Sequence, residues 1–306
     1  MSWYHCILPD DIYAVFLESW KWNRTFMSTA NALRTILIEK LKNDALVLPT
    51  LPKIAMKVRE AVADPDSNLS TISSIIAQDA ALSARLIRMA NTAHYSRAVR
   101  VENLQSAVTR IGMRQIKNIV MALAMEQLFV SNNELIATYL AKAWEHSTEI
   151  SAYSMALFAV HKAGNKHTPL QIDTLSLSAL LHNIGTLPIL TEADGCPDVF
   201  AEPEFLERAI LDLQSHIGLA MVKAWNFSDD MAESVRYYSK EEYQTEEISY
   251  LDFVRLAVLC KSNEATLLIC GDKIAPFIDK GLISSIEDLN SDFFIGELAS
   301  ARETFA

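Results

Sequence analysis

The sequence predicts an all-α protein built as a multi-helix bundle. Three observations carry that expectation. Eight glycines and nine prolines are few punctuators for 306 residues, and they fall between apolar segments. Within those segments the apolar residues recur at three- and four-residue spacing, while period-two alternation is scarce. The first-half segments are short and closely connected, which suits a compact bundle.

Residues 1–45 read as an N-terminal helical extension holding Trp3, Trp20 and Trp22, with a helical stretch through Ala30, Leu33, Ile36, Leu37 and Leu41. So short and apolar a helix does not stand alone in water, so its aromatic residues are expected to dock onto the main body; a partner surface is the alternative. Pro49 and Pro52 restrict the backbone before a helix with Ile54, Val58, Ala61 and Val62 on one face. The run ADPDS stops it, Asn68 or Ser70 caps the next, and Ile72, Ile75 and Ile76 form that helix's stripe. A third helix from about Ala81 puts Leu82, Leu86 and Met89 inside and Arg85 and Arg88 outside. Two more helices divide at Ile111-Gly112-Met113, and the tract Ile119–Leu128 reads as buried on most sides. These elements make a first subregion, 46–130.

The helices then lengthen, over 135–163, 170–183, 203–224 and 229–238, in a second subregion, 131–245. Together the two subregions form one domain, 46–245. Residues 246–306 are a C-terminal helical extension, with an apolar helix Leu251–Ala265 and two amphipathic helices in GLISSIEDLNSDFFIGELAS.

Half the residues are hydrophobic, which argues against disorder away from the ends. The net charge of −11 argues against a general phosphate-backbone binder, so no nucleic-acid partner is expected. No apolar run reaches the ~18 residues of a membrane span, and MSWYHCILPDD meets acidic residues too early for a secretory signal. Cys6, Cys196, Cys260 and Cys270 form no close pair, which fits unpaired thiols. A cytoplasmic location is the expectation.

Phosphate-binding glycine loops, HExxH and GxSxG are absent. What remains is His146 in AWEHSTEIS, His182 in LLHNIG, His216 in LDLQSHIGLAMVKAW, and Tyr237-Tyr238-Ser239 at a helix end. Three neutral imidazoles from three helices could hold a divalent metal. Phosphoester cleavage would also want carboxylates to balance the metal. Asn183 supplies only a neutral amide, and of the flanking Glu145 and Glu149, Glu145 belongs to a neighbouring helix face. Packing accounts for the histidines without a metal: His146 as a half-buried hydrogen-bonded side chain, His182 as a cap on last-turn carbonyls, His216 at the core edge beside Leu213. His5, His94, His161 and His167 read as surface or boundary residues.

Taken together, the chain resembles the HDOD family, relatives of the HD phosphohydrolases. The resemblance rests on LPTLPKIAMKVREAVADPDSNLSTISSIIAQDAALSARLIRMANTAHYS and LQSAVTRIGMRQIKNIVMALA in the first half. In the second half it rests on AWEHSTEISAYSMALFA, ALLHNIGTLPIL and SHIGLAMVKAWNFSDDMAESVRYY. It implies a helical bacterial signalling or gene-regulatory domain with an HD-like second half, generally catalytically inert. Carried over residue by residue, His146 matches the first histidine of the HD pattern, His182 the histidine of the His-Asp pair, and His216 a later one. Asn183 stands for the aspartate, Tyr238 and Ser239 for a paired histidine, and Val258 about where a closing aspartate falls. Gln78-Asp79-Ala80 replaces the Asp-Pro often found in the family. The set is therefore a vestigial site with no catalytic residue assigned.

The expected function is a non-catalytic signalling or regulatory module acting on a protein partner, without a cofactor. Arg85, Arg88, Arg97, Arg100, Arg110 and Arg114 cluster in an otherwise acidic chain and offer a docking face for an acidic partner or a nucleotide. Two alternatives stand beside it. One is a metal-dependent phosphohydrolase of a nucleotide or cyclic dinucleotide, with a divalent ion at His146, His182 and His216. The other is a small-ligand sensor using the pocket where those histidines meet.

Overall fold

The computed structural model describes residues 35–40, 43, 45–92, 95, 99–195, 203–262 and 271–305, and the side chains of Arg114 and Phe205 are not among those described. The tryptophans of the N-terminal extension lie outside these residues. Residues 35–40 are helical, with Leu37 only 1% exposed. Among the described residues every regular element is a helix.

The first subregion is set by its caps. Pro52 precedes α1 (Lys53–Ala63), and Asp64 ends it in extended backbone. Asn68, not Ser70, caps α2 (Leu69–Ile76), accepting from the amides of Ser70 and Thr71. Asp79 caps α3 (Ala80–Met89) through the Leu82 amide, so the departure at Gln78-Asp79-Ala80 still supplies a helix start. Gly112, at φ +91°, turns the chain between α4 (Leu104–Ile111) and α5 (Met113–Met125). Ile119 through Met125 are all buried. Ile119, Val120 and Leu123 face the first-subregion core, while Met121, Ala122, Ala124 and Met125 face the neighbouring one. A helix serving as the wall between two cores explains the nearly continuous apolar tract. The helical reading through Leu128 is shortened, because α5 passes into a 3-10 turn at Glu126–Leu128.

The second subregion is organised by α6 (Glu134–Gly164), 31 residues long and capped by Asn133. Ser147, Ser151 and Ser154 are fully buried along it, and Ser151 Oγ lies 3.0 Å from the Ser176 carbonyl. These small side chains let α7 (Ile172–Leu181) approach closely. The sequence reading ran one helix over 170–183. The structure stops α7 at Leu181, turns through 182–185, and begins a separate helix, α8 (Thr186–Gly195). Then come α9 (Pro203–Ala224), α10 (Asp229–Tyr237), α11 (Tyr250–Ser262), α12 (Gly271–Asp279), a 3-10 turn at Ile286–Asn290 and α13 (Asp292–Glu303). The apolar helix expected through Ala265 is described as far as Ser262. The first of the two amphipathic helices expected near the C-terminus is the 3-10 turn.

Polar ties join the parts. Asn118 of α5 donates to the buried carboxylate of Asp173 on α7 at 3.0 Å. Trp225 Nε1 donates to the Pro49 carbonyl at 2.9 Å, and Arg59 donates to the Trp225 carbonyl. At the C-terminus, Arg302 of α13 grips Glu149 of α6 through two bonds of 2.9 and 2.6 Å, with Lys261 at 3.4 Å on the same carboxylate.

Candidate functional site

Ala143, His146, Ser147 and Ile150 share the buried face of α6 at helical spacing. That face meets the end of α7 and the turn carrying His182, Asn183 and Gly185. The turn lies against α9 at unusually short range: a Cβ built on Gly185 would sit 1.9 Å from the Gln214 carbonyl oxygen and 2.5 Å from the Gly218 nitrogen. A Cβ on Gly218 would lie 2.7 Å from Val235 Cγ1. The glycines that follow His182 and His216 in sequence are therefore there to let two backbones touch. Sequence reasoning missed this contact, although the paired phrases HNIG and HIG carry it.

The structure brings together His146, His182 and Tyr238. The two imidazole centroids are 5.2 Å apart, and Tyr238 meets His182 edge-on at 4.8 Å. His182 lies at the C-terminal cap position of α7, and its Nδ1 is 2.6 Å from the Ala179 carbonyl. That bond places the proton on Nδ1 and leaves the Nε2 lone pair free. Nε2 is buried without a hydrogen-bond partner. Burial pushes His182 down to about 3, His146 adding to the effect and the Ala179 bond opposing it. Burial, with Lys261 nearby, pushes His146 down to about 4. Both rings are neutral near pH 7, so His182 caps its helix by a hydrogen bond rather than by charge.

Asn183 is turned away from this pair. Its Oδ1 lies 2.7 Å from Ser147 Oγ and its Nδ2 donates to the Ala143 carbonyl at 3.4 Å, tying the turn to α6. His216 is exposed on α9, held below its ordinary pKa first by partial desolvation and then by Arg236 and Lys240. Ser239 is half-buried just past α10, and Val258 is 3% exposed within α11. Glu145 is exposed, and Glu149 is engaged by Arg302 and Lys261. No three His, Cys, Asp or Glu side chains among the described residues are grouped to hold a metal ion. Two neutral imidazoles, one offering a single unused lone pair, with no carboxylate beside them, do not fit the divalent ion of an HD-type site.

The expected arginine face divides. Arg85, read as outward, is half-buried and ion-paired with Glu126. Arg110 donates to the carbonyls of Ala90 and Val99. Arg88 and Arg100 are exposed. Arg97 and the side chain of Arg114 lie outside the described residues. His161, expected at the surface or a boundary, is 5% exposed, with Nδ1 3.1 Å from the Leu282 carbonyl, because the C-terminal region covers that end of α6. No described helix is long and apolar enough to cross a membrane.

Comparison with known proteins extends these observations. A crystal structure from Shewanella amazonensis SB2B, of a protein named as a candidate metal-dependent phosphohydrolase, is 41% identical. It superposes with a TM-score of 0.86 over 91% of this chain and 100% of its own. An HDOD domain protein of unknown function from Geobacter sulfurreducens shares the fold at 18% identity, with a TM-score of 0.61 over 91% of this chain and 99% of its own. An uncharacterised protein of Treponema pallidum (strain Nichols) is 24% identical over 226 residues, 69% of this chain, and the match spans only 42% of that longer protein. Residues 48–241 match the HDOD domain family. The chain belongs to the HDOD domain family.

Proposed function

We propose that the chain is a non-catalytic regulatory module of a signalling pathway, acting by binding a protein partner. Membership of the HDOD family supports a regulatory or signalling role. The observation that carries the non-catalytic reading is the orientation of Asn183. The side chain at the position of the HD aspartate is spent on Ser147 and Ala143 of α6. A ligand position has become a tie between helices, and the histidines beside it are held neutral in the core. Among the described arginines of the run, Arg88 and Arg100 are exposed and open to an acidic partner. The test pairs a phosphohydrolase assay of the manganese-loaded full chain with affinity capture by the wild type and by R88E/R100E. No turnover, with a partner lost in the variant, supports the reading; metal-dependent turnover abolished by His182→Gln refutes it.

The name of the 41%-identical Shewanella protein favours a second reading, a metal-dependent phosphohydrolase acting on a nucleotide or cyclic dinucleotide. The same assay decides between the two. A small-ligand sensor is a weaker reading, since a cavity of about 270 Å³ in the second half is lined by Asp252, Arg255 and Phe277 and not by the histidines.

A further inference from the structure

Arg236 in the last turn of α10 and Lys240 just past it place two cations at one end of the helix. Arg236 and Lys240 stand one helical turn apart in sequence, and their charged groups lie 5.9 and 5.8 Å from the ring centroid of Tyr237. His216, exposed on α9, stands two residues before Gly218, which packs against Val235, the residue before Arg236 on α10. Neither Arg236 nor Lys240 is ion-paired with a carboxylate among the described residues, and the His216 ring has no hydrogen bond there. Glu233, one turn before Arg236, instead accepts the Tyr243 hydroxyl at 2.7 Å. Three basic side chains thus stand on adjoining elements of a chain of net charge −11, although mutual repulsion and ordinary surface pairing would both disperse them.

The backbone beneath them is fixed in advance. Arg255, 4% exposed, donates to the carbonyls of Tyr237 at 2.9 Å, Tyr243 at 2.5 Å and Lys240. Tyr243 stacks on Tyr237 with centroids 3.7 Å apart and planes 6° from parallel. One buried guanidinium and one aromatic stack thus hold the segment from Tyr237 to Tyr243. A ligand arriving at the corner meets side chains already mounted on an ordered frame.

We propose that His216, Arg236 and Lys240 form a binding site for a phosphoryl dianion. The guanidinium fork, the ammonium and the imidazole approach from two elements and offer donors to separate oxygens, as a tetrahedral phosphate requires. A carboxylate, with two oxygens and one charge, would leave part of the set unpaired. The site needs no metal and no turnover, and it is independent of the protein-partner reading above.

The test follows the Hε1 proton resonance of His216, assigned by its loss in His216→Gln, as the full chain is titrated with inorganic phosphate at constant ionic strength. The expected result is a saturable shift, with affinity at least about tenfold lower in R236Q/K240Q, since charge-assisted hydrogen bonds are lost. Unchanged thermal unfolding of that variant shows that the fold is intact; should it unfold, Lys240→Gln alone carries the comparison. Adenosine 5′-monophosphate and a phosphoserine peptide serve as further arms. Tighter saturation by the first assigns a soluble phosphate ester, and by the second a phosphorylated protein. A linear shift with all three probes, or an equal shift with chloride, overturns the proposal, as does unaltered affinity in a folded variant.

Discussion

Gly185 and Gly218 pack backbone against backbone, so that a Cβ on Gly185 would sit 2.5 Å from the Gly218 nitrogen. The atoms it would strike are main-chain atoms of α9, which cannot move aside separately. Gly185→Ala is expected to cost more than about 3 kcal/mol, at the upper end of overpacking effects. Gly218→Ala meets a valine methyl that can shift, and should cost about 1–2 kcal/mol. Gly164→Ala, with nothing within 4 Å of its Cβ, is the control and should be neutral or slightly stabilising. Urea denaturation of the three variants ranks them.

Asn183→Asp would not rebuild an HD site. The new carboxylate would face the Ala143 carbonyl, where Asn183 now donates at 3.4 Å, in a position 3% exposed. The expected cost is about 2–4 kcal/mol at neutral pH, the range for an unpaired buried charge. Burial raises the folded pKa of such a carboxyl above its unfolded value, so the folded state binds the extra proton. The deficit relative to wild type must therefore shrink as pH falls toward 4 and grow as it rises. A deficit independent of pH would contradict the orientation of residue 183.

The histidine pair predicts acid sensitivity. His146 and His182 have folded pKa values of about 4 and about 3, below the ~6.5 of an unfolded histidine. Between those values the unfolded chain binds more protons, so stability falls as pH drops through 6.5. At pH 5 each histidine costs about 2 kcal/mol relative to pH 7.5, at about 1.4 kcal/mol per pH unit. The loss levels off near the two folded values. Replacing either histidine with glutamine should remove about 2 kcal/mol of the fall in stability between pH 7.5 and 5, about half of the pair's share.

The C-terminal helix is latched to α6 beside this pair. Arg302 is exposed enough for solvent to screen its pairing with Glu149, so Arg302→Ala should cost only about 0.5–1 kcal/mol. Lys261 acts differently, because its charge contributes to holding His146 neutral. Lys261→Gln should raise the His146 pKa, read from its proton resonance, while leaving stability at neutral pH nearly unchanged.

The helices were legible in the sequence because their causes are local. The cap offered by Asn68 or Ser70 and the apolar stripes announce themselves in a few residues, while the capping of α3 by Asp79 was not read from the sequence. The end of α7 was read two residues late, at 183 against Leu181, and α8 was not read at all; the contact of Gly185 with α9 joins distant segments and leaves no local mark. The same holds for the site. That Asn183 offers a neutral amide where the HD pattern has an aspartate could be read from the sequence alone. Its attachment to Ser147 depends on packing between elements 36 residues apart. The arginine run looked like one face, but proximity in sequence did not reveal that Arg85 and Arg110 turn inward to Glu126 and to backbone carbonyls.

We propose that His182 of LLHNIG and His146 of AWEHSTEIS, neutral and buried in the core, hold no metal. Elemental analysis of the full chain, purified without chelator, loaded with manganese or zinc and freed of excess ion, tests it most directly. Well below one ion per chain is expected, with no difference between wild type and His182→Gln. One tightly held ion per chain, lost in His182→Gln, would contradict it.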